Sequence, residues 1–325
     1  MCARIGLASG RGLAANIRDH YPAWLLHGIA GMLLFANPAN IAADLSAMGN
    51  ALQLVAGGAS EIYIVFFALL SLVLQIFVPF PRYAPILKWM TLFLLAYVAT
   101  VFAVEVRWNE ATMAVLFPKP QFRADYIATL VAVLGTTISP YLFFWQASQE
   151  VEEEKSLGRR RVADRVGADP LEIETRTIDI AMGTFFSNLA MFFIILATAL
   201  TLHEAGMTKL ETSRQVAEAL TPLAGRFAGL LYTVGLLGTG LLAIPTLSGS
   251  AAYAFAELFG WRQGIDERYD KAPAFYAAFI CSMALGIAMD FSSVNPVAAL
   301  YWTAVINGVL APFLLVGILI AASDV

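Results

Sequence analysis

The sequence predicts an all-α protein that crosses a membrane many times, and composition and block length carry that prediction. Hydrophobic residues make up 59% of the 325 residues and charged residues only 14%, whereas a soluble domain carries about a quarter charged residues. The apolar residues fall in blocks of about 20, the length that crosses the hydrocarbon of a bilayer as a helix. No stretch between the blocks is long enough for a soluble domain. The whole of 1–325 therefore reads as a single transmembrane domain, with spans expected at 24–54, 61–80, 84–105, 126–148, 178–202, 227–258, 273–290 and 297–322.

The chain opens with Arg4, Arg11, Arg18 and Asp19 among glycines. This segment has no central apolar stretch and is not a signal peptide. The first span carries Asn37-Pro38-Ala39-Asn40, which is expected to interrupt it, and then Asp44, Asn50 and Gln53. Asn40 and Asp44 are four residues apart and share one helix face. Asp44 is the only acid deep in a span, and either an ion-path or gating role or a structural hydrogen bond suits it. The fourth span holds Gly135-Thr136-Thr137-Ile138-Ser139-Pro140-Tyr141, followed by Gln146 and Ser148. A proline there removes one backbone hydrogen bond and crowds the preceding turn. Membrane proteins tolerate such a break where the freed backbone lines a polar cavity, often a substrate or ion site.

Gln149 to Asp179 is the largest polar insert. Its Glu150, Glu152, Glu153 and Glu154 precede Arg159-Arg160-Arg161, the pattern of a solvated helix continuing out of the membrane. The fifth span carries Asn188. His203 to Arg226, with Leu210, Val216, Ala217 and Leu220 among polar residues, reads as a short amphipathic helix on the outer interface. The sixth span is expected to be interrupted at Ile244-Pro245-Thr246-Leu247-Ser248-Gly249-Ser250, with small residues that let helices approach. Asn307 is the one amide of the last span.

Lys and Arg set the orientation. Most lie in one set of alternate loops, including Arg159, Arg160, Arg161, Arg165 and Arg176. The other set holds only Arg107, Lys119, Arg123, Lys209, Arg214 and Arg226. The first set is expected in the cytoplasm, with both ends of the chain. Cys2 and Cys281 form neither a metal cluster nor a disulfide framework. No nucleophile–base pair, phosphate loop or histidine-rich cluster suggests an enzyme, and no cofactor is expected.

Gly135-Thr136-Thr137-Ile138-Ser139-Pro140-Tyr141 resembles the sixth helix of the Nramp divalent-metal transporters, whose pattern is Gly-Ala-x-x-Met-Pro-His. Cys2-Ala3-Arg4-Ile5-Gly6 with Gly10-Arg11-Gly12-Leu13 is similar to the end of that family's second helix. Ala43-Asp44-Leu45-Ser46-Ala47-Met48-Gly49 resembles its third, and Asn188 falls where its seventh usually has an asparagine. The resemblance covers nearly the whole chain, with clear departures. It implies a LeuT-like inverted-repeat transporter fold of two five-helix repeats. In that register the chain begins near the end of the second helix, so the expectation is an N-terminally truncated member lacking the first helix and its Asp-Pro-Gly-Asn ligands.

The resemblance also implies a metal site at Thr136, Ser139 and Tyr141, with Asp44, Asn40 and Asn188 on the ion path or gate. Thr136 stands where a backbone carbonyl binds metal, Ser139 where the family has methionine, and Tyr141 where it has histidine. A thioether favours softer ions such as Mn²⁺ and Fe²⁺, and a hydroxyl makes the site harder and richer in oxygen. The third-helix glutamate of the family is Ala47 here, and Pro273 to Asp290 carries no arginine. The implied function is secondary transport of Mg²⁺, or of Mn²⁺ or Fe²⁺, with weak or absent proton coupling. The implied partners are the cation and the lipid bilayer, without nucleic acid, in a bacterial inner (plasma) membrane. The alternatives are an amino-acid or other small-solute carrier of the same fold, and a non-functional transporter remnant.

Overall fold

A computed structural model describes all residues except 119, 121, 208–212, 266, 293–295 and 324–325. It is all-helical, with no strand among the described residues. Lys119, Lys209 and Leu210, used above for orientation and for the outer amphipathic helix, lie outside the described residues.

Two short helices, α1 (Cys2–Ser9) and α2 (Leu13–His20), precede the 34-residue α3 (Ala23–Ala56). Then come α4 (Ser60–Phe77), α5 (Phe80–Thr91) and α6 (Ala96–Ala103), the last two joined by a 3₁₀ turn, and α7 (Trp108–Leu116). The fourth expected span is split into α8 (Ala124–Thr137) and α9 (Pro140–Ser156). After the short α10 (Val162–Arg165) runs α11 (Pro170–Thr198), extended by a π-helical turn to His203. Small helices α12 (Ser213–Glu218) and α13 (Thr221–Ala224) lead to α14 (Ala228–Phe259), α15 (Pro273–Asp290) and α16 (Pro296–Ser323).

Among the described residues, seven helical segments are long and apolar enough to cross a membrane: Ser60–Phe77, Arg82–Ala103, Ala124–Ser156, Pro170–His203, Thr221–Phe259, Pro273–Asp290 and Ala298–Ser323. Helix α3, with 34 residues, is exceeded in length only by Thr221–Phe259 among them, but it is diluted by Asn37, Asn40, Asp44, Asn50 and Gln53. It forms the centre of the molecule, packed along α14, α15, α4 and α16. The core divides into a layer where Ile41, Leu45 and Met48 meet Ile64, Phe67, Ile244 and Met283, and one where Leu26 and Leu33 meet Phe144 and Leu314.

Three expectations are corrected. The prolines Pro38 and Pro245 do not interrupt their spans, because α3 and α14 run helically through both. Each proline removes one backbone bond, the one to the carbonyl four residues earlier; nearby, Asn37 Nδ2 donates to the Leu247 carbonyl at 2.8 Å and Ser248 Oγ to the Ile244 carbonyl at 2.6 Å. The acidic turn after the fourth span is only partly solvated. It does continue the helix to Ser156 with Glu153 exposed, but Glu150, Glu152 and Glu154 are buried, Glu150 against Gly6 of α1 and Glu152 against Gly264. Their charges are met by Arg176 (3.0 Å to Glu150), Lys155 (2.7 Å to Glu152) and Arg159 (2.6 Å to Glu154). Among the described residues of the 203–226 insert there is not one amphipathic helix but the short α12 and α13, with Ala217 and Leu220 turned into the core.

On the side that carries Arg159, Arg160 and Arg161, Arg165 and Glu257 make long-range contacts. Arg165 is buried, donating to the carbonyls of Gly10 (3.1 Å), Arg159 (3.2 Å) and Arg160 (2.8 Å). Gly10 closes α1 in the left-handed region, φ 63°, where a side chain would be strained. Glu257 near the end of α14 accepts the backbone N–H of Ala15 at 3.0 Å and so caps α2 across 242 positions of sequence. Gly12 has no side chain to cap with, and a methyl group there would lie 1.8 Å from Glu257 Oε1.

Candidate functional site

The helix break is built by the sequence around Pro140. The residue before a proline is pushed out of the α region, and Ser139 is extended (φ −86°, ψ 123°). Ile138 before it is already non-helical (φ −110°, ψ 69°). Pro140 then starts α9 as its first residue, where a missing N–H costs nothing. The last carbonyls of α8 are thereby released from the helix ladder, at the end where its dipole favours positive charge. Ser139 Oγ is shared between two of them, those of Gly135 and Thr136, both at 3.1 Å. A hydroxyl whose hydrogen is so engaged points its lone pairs elsewhere.

Close contact with α16 fixes the broken end. A methyl group on Gly135 would lie 1.8 Å from the Ala304 carbonyl oxygen, and one on Gly308 would lie 2.2 Å from that of Val131. The two backbones touch because both positions lack a side chain. That contact carries Asn307, buried and without a side-chain hydrogen bond among the described residues, to the level of the break.

A cavity of about 450 Å³ opens there between α3, α8, α9, α14 and α16. Its polar lining comes from Asn40, Asp44, Thr129, Thr136, Ser139, Tyr141, Tyr301 and Asn307, and its apolar lining includes Ala132, Val133, Leu247 and Leu300. Of the expected residues, Thr136, Ser139, Tyr141, Asp44 and Asn40 therefore meet in one space. The shared face of Asn40 and Asp44 is the face of α3 turned to it. Asn40 Nδ2 is spent on the Ala36 carbonyl at 3.1 Å, so its amide oxygen remains as the acceptor. The Thr136 hydroxyl bonds back to the Val133 carbonyl at 3.1 Å, leaving its main-chain oxygen as the group of interest. Every polar group offered is oxygen or amide, and neither sulfur nor imidazole lines the cavity.

Asn188 is elsewhere. It sits on α11, donates to the Thr184 carbonyl at 2.8 Å, and is not among the lining residues. The cavity also takes in Thr129, Tyr301 and Asn307, of which only Asn307 stands out in the sequence among the polar residues within spans. Asn307 carried a signal, a lone amide in an apolar span, whereas a threonine and an interfacial tyrosine carry none. A second groove of about 430 Å³, lined by Ile17, Tyr21, Trp24, Met32, Phe313 and Leu314, is apolar and offers no ligand chemistry. Among the described residues no three His, Cys, Asp or Glu side chains are grouped as a resident metal site.

Fold and cavity together define a polytopic helical membrane protein in which a discontinuous helix and a charged central helix face one polar space. The family model of natural resistance-associated macrophage protein-like (Nramp) proteins matches residues 1–325, and the chain belongs to that family. Its fold is accordingly LeuT-like. Among similar curated proteins is the divalent metal cation transporter MntH of Aeromonas hydrophila, 22% identical over 85% of this chain and 66% of the relative. The protein of the same name from Burkholderia ambifaria is 26% identical over 77% of this chain and 56% of the relative. That from Agrobacterium fabrum is 26% identical over 76% and 53%. The chain spans between about half and two thirds of the length of these relatives.

Proposed function

We propose that this protein moves a divalent cation across a bacterial inner membrane through the cavity at the α8–α9 break, with both ends of the chain in the cytoplasm. The observation that carries the reading is the convergence of one carboxylate, Asp44, with the free carbonyl end of α8 in a single cavity. The family membership and the printed function of the MntH relatives support it. In this reading Asp44 supplies the charge, the Thr136 carbonyl and Ser139 hydroxyl supply hard oxygen ligands, and Asn40 and Tyr141 complete the polar wall. A cavity of about 450 Å³ leaves room for an ion that keeps several of its waters, the habit of Mg²⁺ rather than of softer ions. Mg²⁺ is accordingly the first candidate, with Mn²⁺ and Fe²⁺ behind it. Proton coupling is weak or absent, since Ala47 and Tyr141 stand where the family pattern has titrating residues.

The test is uptake of Mg²⁺ and Mn²⁺ into proteoliposomes, run beside labelled amino acids. Metal flux above that of empty liposomes is expected. Amino-acid uptake without metal flux would instead identify a small-solute carrier of the same fold, and no flux of either would leave a remnant without transport.

A further inference from the structure

A second polar site lies away from the cavity, where α3, α4, α14 and α15 meet. Asn37, Ser71, Gln75, Ser248, Ser250 and Ser282 are all buried there, none more than 4% exposed. Contacts place them at one level. Helices α3 and α4 meet at Gly49 and Ile64, and the same number of residues separates Pro38 from Gly49 as separates Ile64 from Gln75. On α15, a methyl group at Gly286 would lie 3.2 Å from the Pro38 carbonyl oxygen, so Ser282, one turn earlier on the same face, reaches the turn of Asn37. From α14, the Leu247 carbonyl and Ser250 Oγ accept Asn37 Nδ2 at 2.8 and 2.9 Å, and Ser248 Oγ stands 3.4 Å from Gln75 Oε1.

Four atoms of this group have no protein partner among the described residues: Asn37 Oδ1, Ser71 Oγ, Gln75 Nε2 and Ser282 Oγ. Buried polar atoms are rarely left so. The Asn37 amide cannot reverse, because its Nδ2 already faces two acceptors. Reversing the Gln75 amide would only exchange which end is orphaned. The unmet groups include a donor and an acceptor besides two hydroxyls, and the six side chains carry no charge. A cation would find no counter-charge and would face an N–H. Water both donates and accepts, and a buried water needs two to four such partners. The cluster is level with Pro38 and Pro245, the two prolines carried inside unbroken helices, where further carbonyls lose their backbone partners. We propose that Asn37, Ser71, Gln75 and Ser282 enclose a permanent cluster of bound water that bridges α3, α4 and α15 and stands in for the missing side-chain contacts between them.

The sign of a stability change tests this. Removing a dry, unsatisfied hydroxyl is neutral or stabilising, whereas removing one that holds a bridging water is destabilising. In detergent at one fixed scan rate, Ser71→Ala and Ser282→Ala should each lower the thermal midpoint by about 2 °C or more. The double variant should depart from the sum of the two, because both hydroxyls hold the same cluster. Midpoints unchanged or raised in both single variants would overturn the proposal. So would a midpoint that rises with Na⁺ but not with choline in the unaltered protein, which would make this a cation site. A density map fine enough to show water gives a readout independent of any variant. Density within hydrogen-bond distance of Asn37 Oδ1 is expected, and an empty space there would overturn the proposal.

Discussion

At the scale of single residues, the proposed ion chemistry rests on Asp44 and Ser139. Among the described residues Asp44 is the only carboxylate in the cavity lining, so Asp44→Asn removes the charge while keeping the shape. Uptake of Mg²⁺ should fall about tenfold or more, equivalent to at least 1.4 kcal/mol of lost interaction, with little change in folded yield. Uptake that survives this change at full rate would mean that the ion passes elsewhere. For Ser139→Met, a thioether in place of a hydroxyl should raise Mn²⁺ or Cd²⁺ transport relative to Mg²⁺. An unchanged ratio would remove Ser139 from the site. The substitution also deletes the hydroxyl that bridges the Gly135 and Thr136 carbonyls, so the comparison is made between ions in one variant rather than between variants.

These residues were legible in the sequence for physical reasons. A polar or charged side chain within an apolar block is costly, so Asp44, Asn40 and the Thr136–Ser139 run stood out. Thr129 and Tyr301 did not, because nothing in their local spacing signals that α8 and α16 touch. Glu257 was equally silent: its partner, the start of α2, lies 242 positions away. Burial of Glu150, Glu152 and Glu154 was hidden for the same reason, since the cations that meet two of them come from other turns and helices.

At the scale of elements, a proline's effect was only partly legible. Pro140 breaks its helix and Pro38 and Pro245 do not, although all three sit in apolar spans. At Pro140 the preceding Ser139 turns extended and its hydroxyl caps the released Gly135 and Thr136 carbonyls, whereas the residues before Pro38 and Pro245 stay helical. The break is held in place by α16, and Gly135→Ala tests that support. Its methyl group would meet main-chain atoms of Ala304 and Gly308 that cannot rotate away. Overpacking of this kind costs about 1–3 kcal/mol. A lowered thermal midpoint with reduced uptake is expected, and an unaltered midpoint would show that α8 and α16 can separate freely. The loop after α9 offers a parallel case. Arg165→Ala would strip three carbonyls of their donor, at about 1–3 kcal/mol. Faster amide hydrogen exchange across 157–169 is expected, and exchange unchanged from the unaltered protein would mean that the loop is held by its other contacts.

At the scale of the whole molecule, orientation follows from charge, and it can be tested without any knowledge of the transported ion. The segment between α9 and α11 gathers Arg159, Arg160, Arg161 and Arg165, whereas the segment around α7 carries Arg107 and Arg123 among the described residues. Basic residues in short loops are retained on the cytoplasmic side, which predicts Leu157 inside and Phe117 outside. Both side chains are exposed, at 67% and 66%, so a cysteine at either position would be open to a water-borne reagent. Cys281 is itself exposed and is first replaced by serine. In intact cells with a permeable outer envelope, a membrane-impermeant maleimide should label Phe117→Cys at once and Leu157→Cys only after the inner membrane is opened. The reverse pattern would invert the molecule and place the buried Glu150–Arg176 ion pair at the outer face. Equal labelling of both from outside would be incompatible with α8 and α9 together forming one crossing, and with it would fall the assignment of the helix break to the interior of the membrane.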